Sequence, residues 1–219
     1  MKNKIGIITC AFAILTIFLS SCKKKGQEIS FDFSITIQDY YNESPIQDVS
    51  VSAYTKGVSS GTYTNTFQLQ ASESTSSAGV ASFQVPYGGI EVIKLSIEKD
   101  GYFGQSIEYN PDDFSTEGNN ALTIPIKKKG FISIRIQNTS PFSAFDEITF
   151  NTINNDCEEC TDFNSLVLAG TQIDTTLSGI TVGNRYFKYQ YIVFKNGASS
   201  NYLDSALCVN DTTFININY

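Results

Sequence analysis

The chain has 219 residues, with 15 basic and 22 acidic side chains, 41% apolar residues, 12 Tyr, 16 Phe, and neither His nor Trp. A net charge of −7 argues against nucleic acid as a partner, because a phosphate backbone is bound by a positive field. This much apolar and aromatic material builds real cores and excludes general disorder. Without histidine, the Ser-His-Asp and Cys-His nucleophile classes are closed.

Lys2 and Lys4 precede an uncharged run from Ile5 to Leu19, which ends in Leu19-Ser20-Ser21-Cys22. That is the layout of an export signal. A helix over this run would be about 22 Å long, short of the ~30 Å hydrocarbon core that a permanent span must cross. Residues 1–21 therefore read as a cleaved signal peptide. Leu19, Ser20 and Ser21 ahead of Cys22 resemble the lipobox of bacterial lipoproteins. The resemblance implies a mature chain beginning at Cys22, with a thioether-linked diacylglycerol and an N-acyl chain. More than one chain is what stable anchoring requires at ~0.8 kcal/mol per buried CH2. Residues 22–29, with Lys23, Lys24, Lys25 and Gly26, then form a lipidated tether beside anionic head groups. Cleavage removes two lysines and no acid, leaving the mature chain at −9.

Beyond the tether, Ile29, Phe31, Phe33, Ile35 and Ile37 alternate with Ser30, Asp32, Ser34, Thr36 and Gln38, the period of a half-buried strand. The signature returns in Val49-Val51-Ala53, Ala81-Phe83-Val85, Ile93-Leu95-Ile97, Ile107-Tyr109 and Leu122-Ile124-Ile126. Turn formers separate these runs: Asn42 to Pro45, Ser76 to Gly79, Tyr87-Gly88-Gly89, Lys99-Asp100-Gly101 and Asn110-Pro111-Asp112. Gly79 and Gly101 are expected at positive φ. The pattern pauses at Lys127-Lys128-Lys129-Gly130 and restarts with Ile132, Ile134 and Ile136, which places a domain boundary there. Ile148-Phe150, Leu166-Leu168, Ile173 to Leu177, Tyr186 to Phe194, Leu207-Val209 and Phe214 to Tyr219 follow. No long window shows a helical stripe. The fold class expected is all-β, two tandem immunoglobulin-like or prealbumin-like β-sandwiches over residues 30–127 and 128–219.

In the first of these, Pro45 to Ala53, then Ser77-Ala78-Gly79-Val80-Ala81-Ser82-Phe83, then Ile97-Glu98-Lys99-Asp100-Gly101-Tyr102 form a series. It resembles the carboxypeptidase regulatory-like and transthyretin-like sandwiches of Bacteroidota lipoproteins and outer-membrane proteins. The resemblance implies a seven-stranded sandwich serving as spacer or docking module. Surface-exported lipoproteins of that phylum carry acidic residues soon after the cysteine, and Lys23 to Lys25 differ from that. The periplasmic and surface faces of an outer membrane both stay open.

After cleavage Cys157, Cys160 and Cys208 remain beside Cys22, enough for one disulfide and one free thiol in an oxidising compartment. The bond can close locally across Cys157-Glu158-Glu159-Cys160 or tie either cysteine to Cys208. Zinc wants four nitrogen or sulfur ligands, and no metal or other cofactor is expected. Paired carboxylates for acid-base chemistry or calcium would come from Asp112, Asp113 and Glu117, or from Asp156, Glu158, Glu159 and Asp162. Both sets lie among Asn, Ser and Gly and read as solvated loops, so the chain is taken as non-enzymatic. Arg185 to Phe194 has aromatic residues on both parities, so one set must point away from its core. Tyr186, Lys188, Tyr189 and Tyr191 are the candidate binding face. Asp174-Thr175-Thr176, Asp204-Ser205-Ala206 and Asp211-Thr212-Thr213 resemble the O-glycosylation sequon of Bacteroidota, which implies modification at Thr175, Ser205 and Thr212. The function expected is a structural or protein-binding envelope module on a lipid anchor, the alternative a glycan-binding accessory of an outer-membrane uptake system.

Overall fold

A computed structural model describes residues 29–59, 61–153, 157–209 and 212–219. The signal peptide, Cys22 and its tether up to residue 28 lie outside the described residues, as do Asp156 and Asp211.

The first seven strands are β1 (Ser30–Asp39), β2 (Ser50–Ser59), β3 (Thr62–Ser74), β4 (Val80–Pro86), β5 (Ile90–Glu98), β6 (Gln105–Tyr109) and β7 (Asn119–Ile126). They form a three-stranded sheet in the order β4-β1-β7 and a four-stranded sheet in the order β3-β2-β5-β6. The next seven are β8 (Lys129–Gln137), β9 (Glu147–Ile153), β10 (Leu166–Ala169), β11 (Asp174–Val182), β12 (Arg185–Lys195), β13 (Ala198–Cys208) and β14 (Thr212–Asn218). Their sheets run β11-β8-β14 and β10-β9-β12-β13. Counted from its own first strand, each half has the same order, fourth-first-seventh facing third-second-fifth-sixth. Among the described residues the one helical element is a 3-10 turn at Pro111–Asp113. The protein is thus two tandem β-sandwiches.

Alternation explains both cores. Phe31, Phe33, Ile35 and Ile37 of β1 are buried with Val49, Val51 and Ala53, Ala81, Phe83 and Val85, Ile93, Leu95 and Ile97, and Ile124 and Ile126. In the second core Ile132, Ile134 and Ile136 of β8 meet Ile148 and Phe150, Phe187, Tyr189 and Val193, and Ile215 and Ile217. Each such side chain contributes about 1.5–3 kcal/mol when taken out of water. In each half the central strand of the smaller sheet pairs antiparallel on one side and parallel with the last strand on the other. Only Lys127 and Lys128 separate β7 from β8, and they are held on both sides. Phe103 donates its N–H to Lys127 O, and Gly183 donates to Lys128 O.

Gly79 has φ of +74° and sits where an added Cβ would be 2.7 Å from Ile37 O and 2.9 Å from Pro45 Cβ. The turn that returns the chain into β4 therefore demands glycine twice over, by backbone conformation and by space.

Two long strands lie where the sequence pattern predicts little. β3 occupies the Ser/Thr-rich stretch, and β13 extends from Ala198 where only Leu207 to Val209 read as strand. Both are sheet edges with most side chains exposed. An edge strand facing solvent has no reason to alternate.

Candidate functional site

β12 and β13 form a hairpin closed by Asn196 and Gly197, at φ of 52° and 74°, with Lys195 opposite Ala198. Two consecutive left-handed residues of this type suit a two-residue hairpin. The pairing continues without a register break to Arg185 opposite Cys208.

Period two then sorts the aromatic residues of β12. Phe187, Tyr189 and Val193 are buried and Tyr191 half-buried on the core side; Tyr186, Lys188 and Phe194 are exposed on the other. The candidate face of Tyr186, Lys188, Tyr189 and Tyr191 is therefore corrected: it mixes two sides of one strand. Tyr189 belongs to the core, stacked on Phe150 and Phe187, and its hydroxyl donates to Asp204 Oδ2 at 3.2 Å. Burial first, then the charge of Asp204, pushes its phenol far above the ordinary range. Tyr191 stacks on Tyr202 across the hairpin, with ring centroids 4.8 Å apart.

On the outer side, Tyr186 lies opposite Leu207, Gln190 opposite Leu203 and Phe194 opposite Ser199. Leu203 is 74% exposed and Tyr186 63%. β13 is the last strand of its sheet and contains no Pro, no Lys and no bulge. Asp204 accepts the N–H of Ser205, and the Thr213 hydroxyl donates to Leu207 O. That engages the edge toward Cys208 and leaves Ala198 to Leu203 as the stretch open to another strand.

The core-side residues of β13 are covered only near Cys208. Ser200, Tyr202 and Asp204 are exposed, and a cleft of about 290 Å3 opens between this hairpin and the end of β14. Behind it lies a polar group of residues that the sequence pattern does not reveal. Asp146, wholly buried, accepts from the N–H groups of Phe142 and Ser143 and from Asn138 Nδ2, with Lys195 Nζ 4.0 Å away. Lys195 Nζ also donates to Asn138 Oδ1 and Ser140 Oγ. Burial alone would raise the Asp146 pKa, yet these donors and the lysine charge together hold it below the usual carboxylate value.

Cys157 and Cys160 are joined to each other, which resolves the open pairing. Cys208 is free and buried, and burial raises its thiol pKa. It therefore drops out of the disulfide candidates. Asp112, Asp113 and Glu117 are exposed, as are Glu158, Glu159 and Asp162. The Asp112 N–H donates to Asn110 Oδ1 and the Glu117 N–H to Ser115 Oγ, hydrogen bonds that shape a loop. Among the described residues no three His, Cys, Asp or Glu side chains cluster as a metal site. Thr175, Ser205 and Thr212 lie on β11, β13 and β14, all sheet edges, with Ser205 and Thr212 exposed and Thr175 half-buried. Asp174, beside Thr175, is held by Arg135 through two hydrogen bonds of 2.8 and 2.7 Å.

No protein-family model and no curated protein matches the chain. Several solved structures do. The Bacillus anthracis TIE protein shares 14% identity at a TM-score of 0.38, over 87% of this chain and 34% of that one. This chain thus spans about a third of that protein's length. The shaft pilin SpaA of Lactobacillus rhamnosus GG shares 12% at 0.37, over 86% of this chain and 97% of that one. The minor pilin GBS52 of Streptococcus agalactiae shares 11% at 0.38, over 86% and 95%. At these identities and scores the likenesses carry no argument about this chain.

Proposed function

We propose that this chain is a non-enzymatic module of the cell envelope, tethered through acylated Cys22 and divided into sandwiches over residues 30–127 and 128–219. Its working surface is the β13 edge with the apolar face beside it, where an extended segment of an envelope partner adds a strand. The observation that supports this reading is the combination at β13: eleven residues in unbroken register, no Pro or Lys, and Leu203 74% exposed. Edge strands that are not meant to pair are usually blunted by lysine, proline, bulges or brevity. Main-chain bonds then supply affinity, and Leu203 with its neighbours supplies selectivity.

The test is a photo-reactive residue placed at Leu203 or, as control, at Leu69 on the β3 edge, in the full-length protein in its own membrane. A discrete adduct at Leu203 and none at Leu69 is expected; equal labelling or none refutes the docking edge. Acyl-chain labelling that survives Cys22→Ala would refute the anchor. A glycan on Ser205 would blunt this same edge, so an intact mass carrying sugar there also counts against strand addition.

A further inference from the structure

The second sandwich is open along one side, and what lines the opening has a definite chemistry. Its wall is the unfinished end of a stack of rings. Phe150 and Tyr189 lie at 26° to one another, Tyr189 and Tyr191 at 19°, and Tyr191 and Tyr202 at 15°. Tyr189 and Tyr191 each have rings on two sides. Tyr202, 46% exposed, has Tyr191 alone among the described residues. A flat apolar surface on Tyr202 is the natural next member of the stack.

Around that ring the lining turns polar. Ser140, Ser200, Lys195 and Asn218 border the same cleft, whose volume of about 290 Å3 sits at the lower end for small-ligand sites. Tyr219 borders it too, and its hydroxyl is buried with no hydrogen-bond partner among the described residues. Such an orphan is costly, and being out of contact with solvent it bears on folding rather than on ligand binding. Charge selects further. The lysine at the rim is balanced by buried Asp146, so the cleft offers no surplus charge to an anion or a cation. What fits is uncharged, flat and apolar on one face, and rich in hydroxyls at its edge.

We infer that the cleft between β12–β13 and β14 binds a neutral saccharide, its ring stacked on Tyr202 and its hydroxyls meeting Lys195, Ser140 or Ser200. Occupancy of this cleft does not require strand addition at the β13 edge, and cross-linking at Leu203 reports on the latter separately.

The experiment is ligand-observed NMR titration of the purified full-length protein with neutral oligosaccharides of glucose, mannose, galactose and N-acetylglucosamine, with oligogalacturonate as the charged control. At least one neutral sugar is expected to saturate with a Kd of about 1 mM or tighter, with transfer strongest at ring C–H protons. Tyr202→Ala should weaken it about ten-fold or more, whereas Tyr202→Phe, which keeps the ring, should retain most of the affinity. Tyr219→Phe should leave affinity unchanged and Tm unchanged or higher, because the hydroxyl it removes is buried and unpaired. No neutral sugar binding below about 10 mM, equal affinity in Tyr202→Ala, or tighter binding of oligogalacturonate overturns the assignment.

Discussion

The two sandwiches share one strand order but lengthen opposite edges of their larger sheets. In the first, the third strand, β3, has 13 residues and the sixth, β6, has 5; in the second, the third strand, β10, has 4 and the sixth, β13, has 11. β3 pairs with β2 through register shifts at Ala53/Tyr54 and Thr55/Gly57, and Lys94 Nζ stands 4.1 Å over the ring of Phe67. β13 pairs without a shift and presents Leu203 bare. Bulges twist an edge away from a template, and a charge over an aromatic ring denies it to an incoming strand. Topology alone therefore does not decide whether an edge is available. Its local chemistry does.

The largest losses of stability are expected at the loops after each first strand. Asp146→Ala strips buried donors and Lys195 of their acceptor, and should unfold the second sandwich selectively, seen as a separate low-temperature transition in calorimetry. Asp39 accepts from two N–H groups in the first sandwich, those of Tyr41 and Asn42, whereas Asp146 accepts from two N–H groups and an amide, and Asp39→Ala should lower that sandwich's transition by less. Equal effects would remove the distinction between the two loops.

Next in size are the turn glycines. Gly79→Ala should cost about 3 kcal/mol, because a positive φ and a crowded Cβ coincide. Gly101, at φ of +78° with open space around its Cα, should cost about 1 kcal/mol on the same change. Urea titration of both variants measures the difference.

Acid should act on the second sandwich in a graded way. Asp146 has its carboxyl pKa depressed by folding, so its contribution is present above the unfolded value and is lost as pH falls through the lower, folded one. Melting followed from pH 6 down to about pH 2 should show a fall that Asp146→Asn reduces, the remainder including Asp174, whose carboxyl pKa is lowered by Arg135. The smallest effect on stability is expected at the edges themselves: Leu203→Lys and Leu69→Lys should each stay within about 0.5 kcal/mol of the parent. With the photo-reactive residue moved to the exposed Asn201 on the same side of β13, only Leu203→Lys should abolish the adduct to a partner.

How far the molecule is legible in its sequence follows from the same contrast. β1 is readable because one face meets a core: Phe31, Phe33, Ile35 and Ile37 are buried, and the residues between them are not. β3 and β13 have no such face over most of their length, so hydrophobic period carries no mark of them. In β12 the aromatic excess does announce a second use, but Tyr186 and Tyr189 cannot be assigned to sides without knowing which face the core takes. Tyr202, the outermost ring of the stack, sits in the unreadable strand. Asn138, Asp146 and Lys195 meet across 57 residues of sequence, with no spacing rule to join them. The cysteine pairing likewise depends on where β13 places Cys208.

The first and last strands of each sandwich lie side by side and run the same way, β1 with β7 from Asp32 to Asp39 and β8 with β14 from Phe131 to Gln137. The chain accordingly enters one pole of each body and leaves by the other. Tension applied to the two ends loads these ladders in shear, with their hydrogen bonds sharing the load rather than opening one after another. A sandwich pulled at its two ends is thus clamped by its own first and last strands.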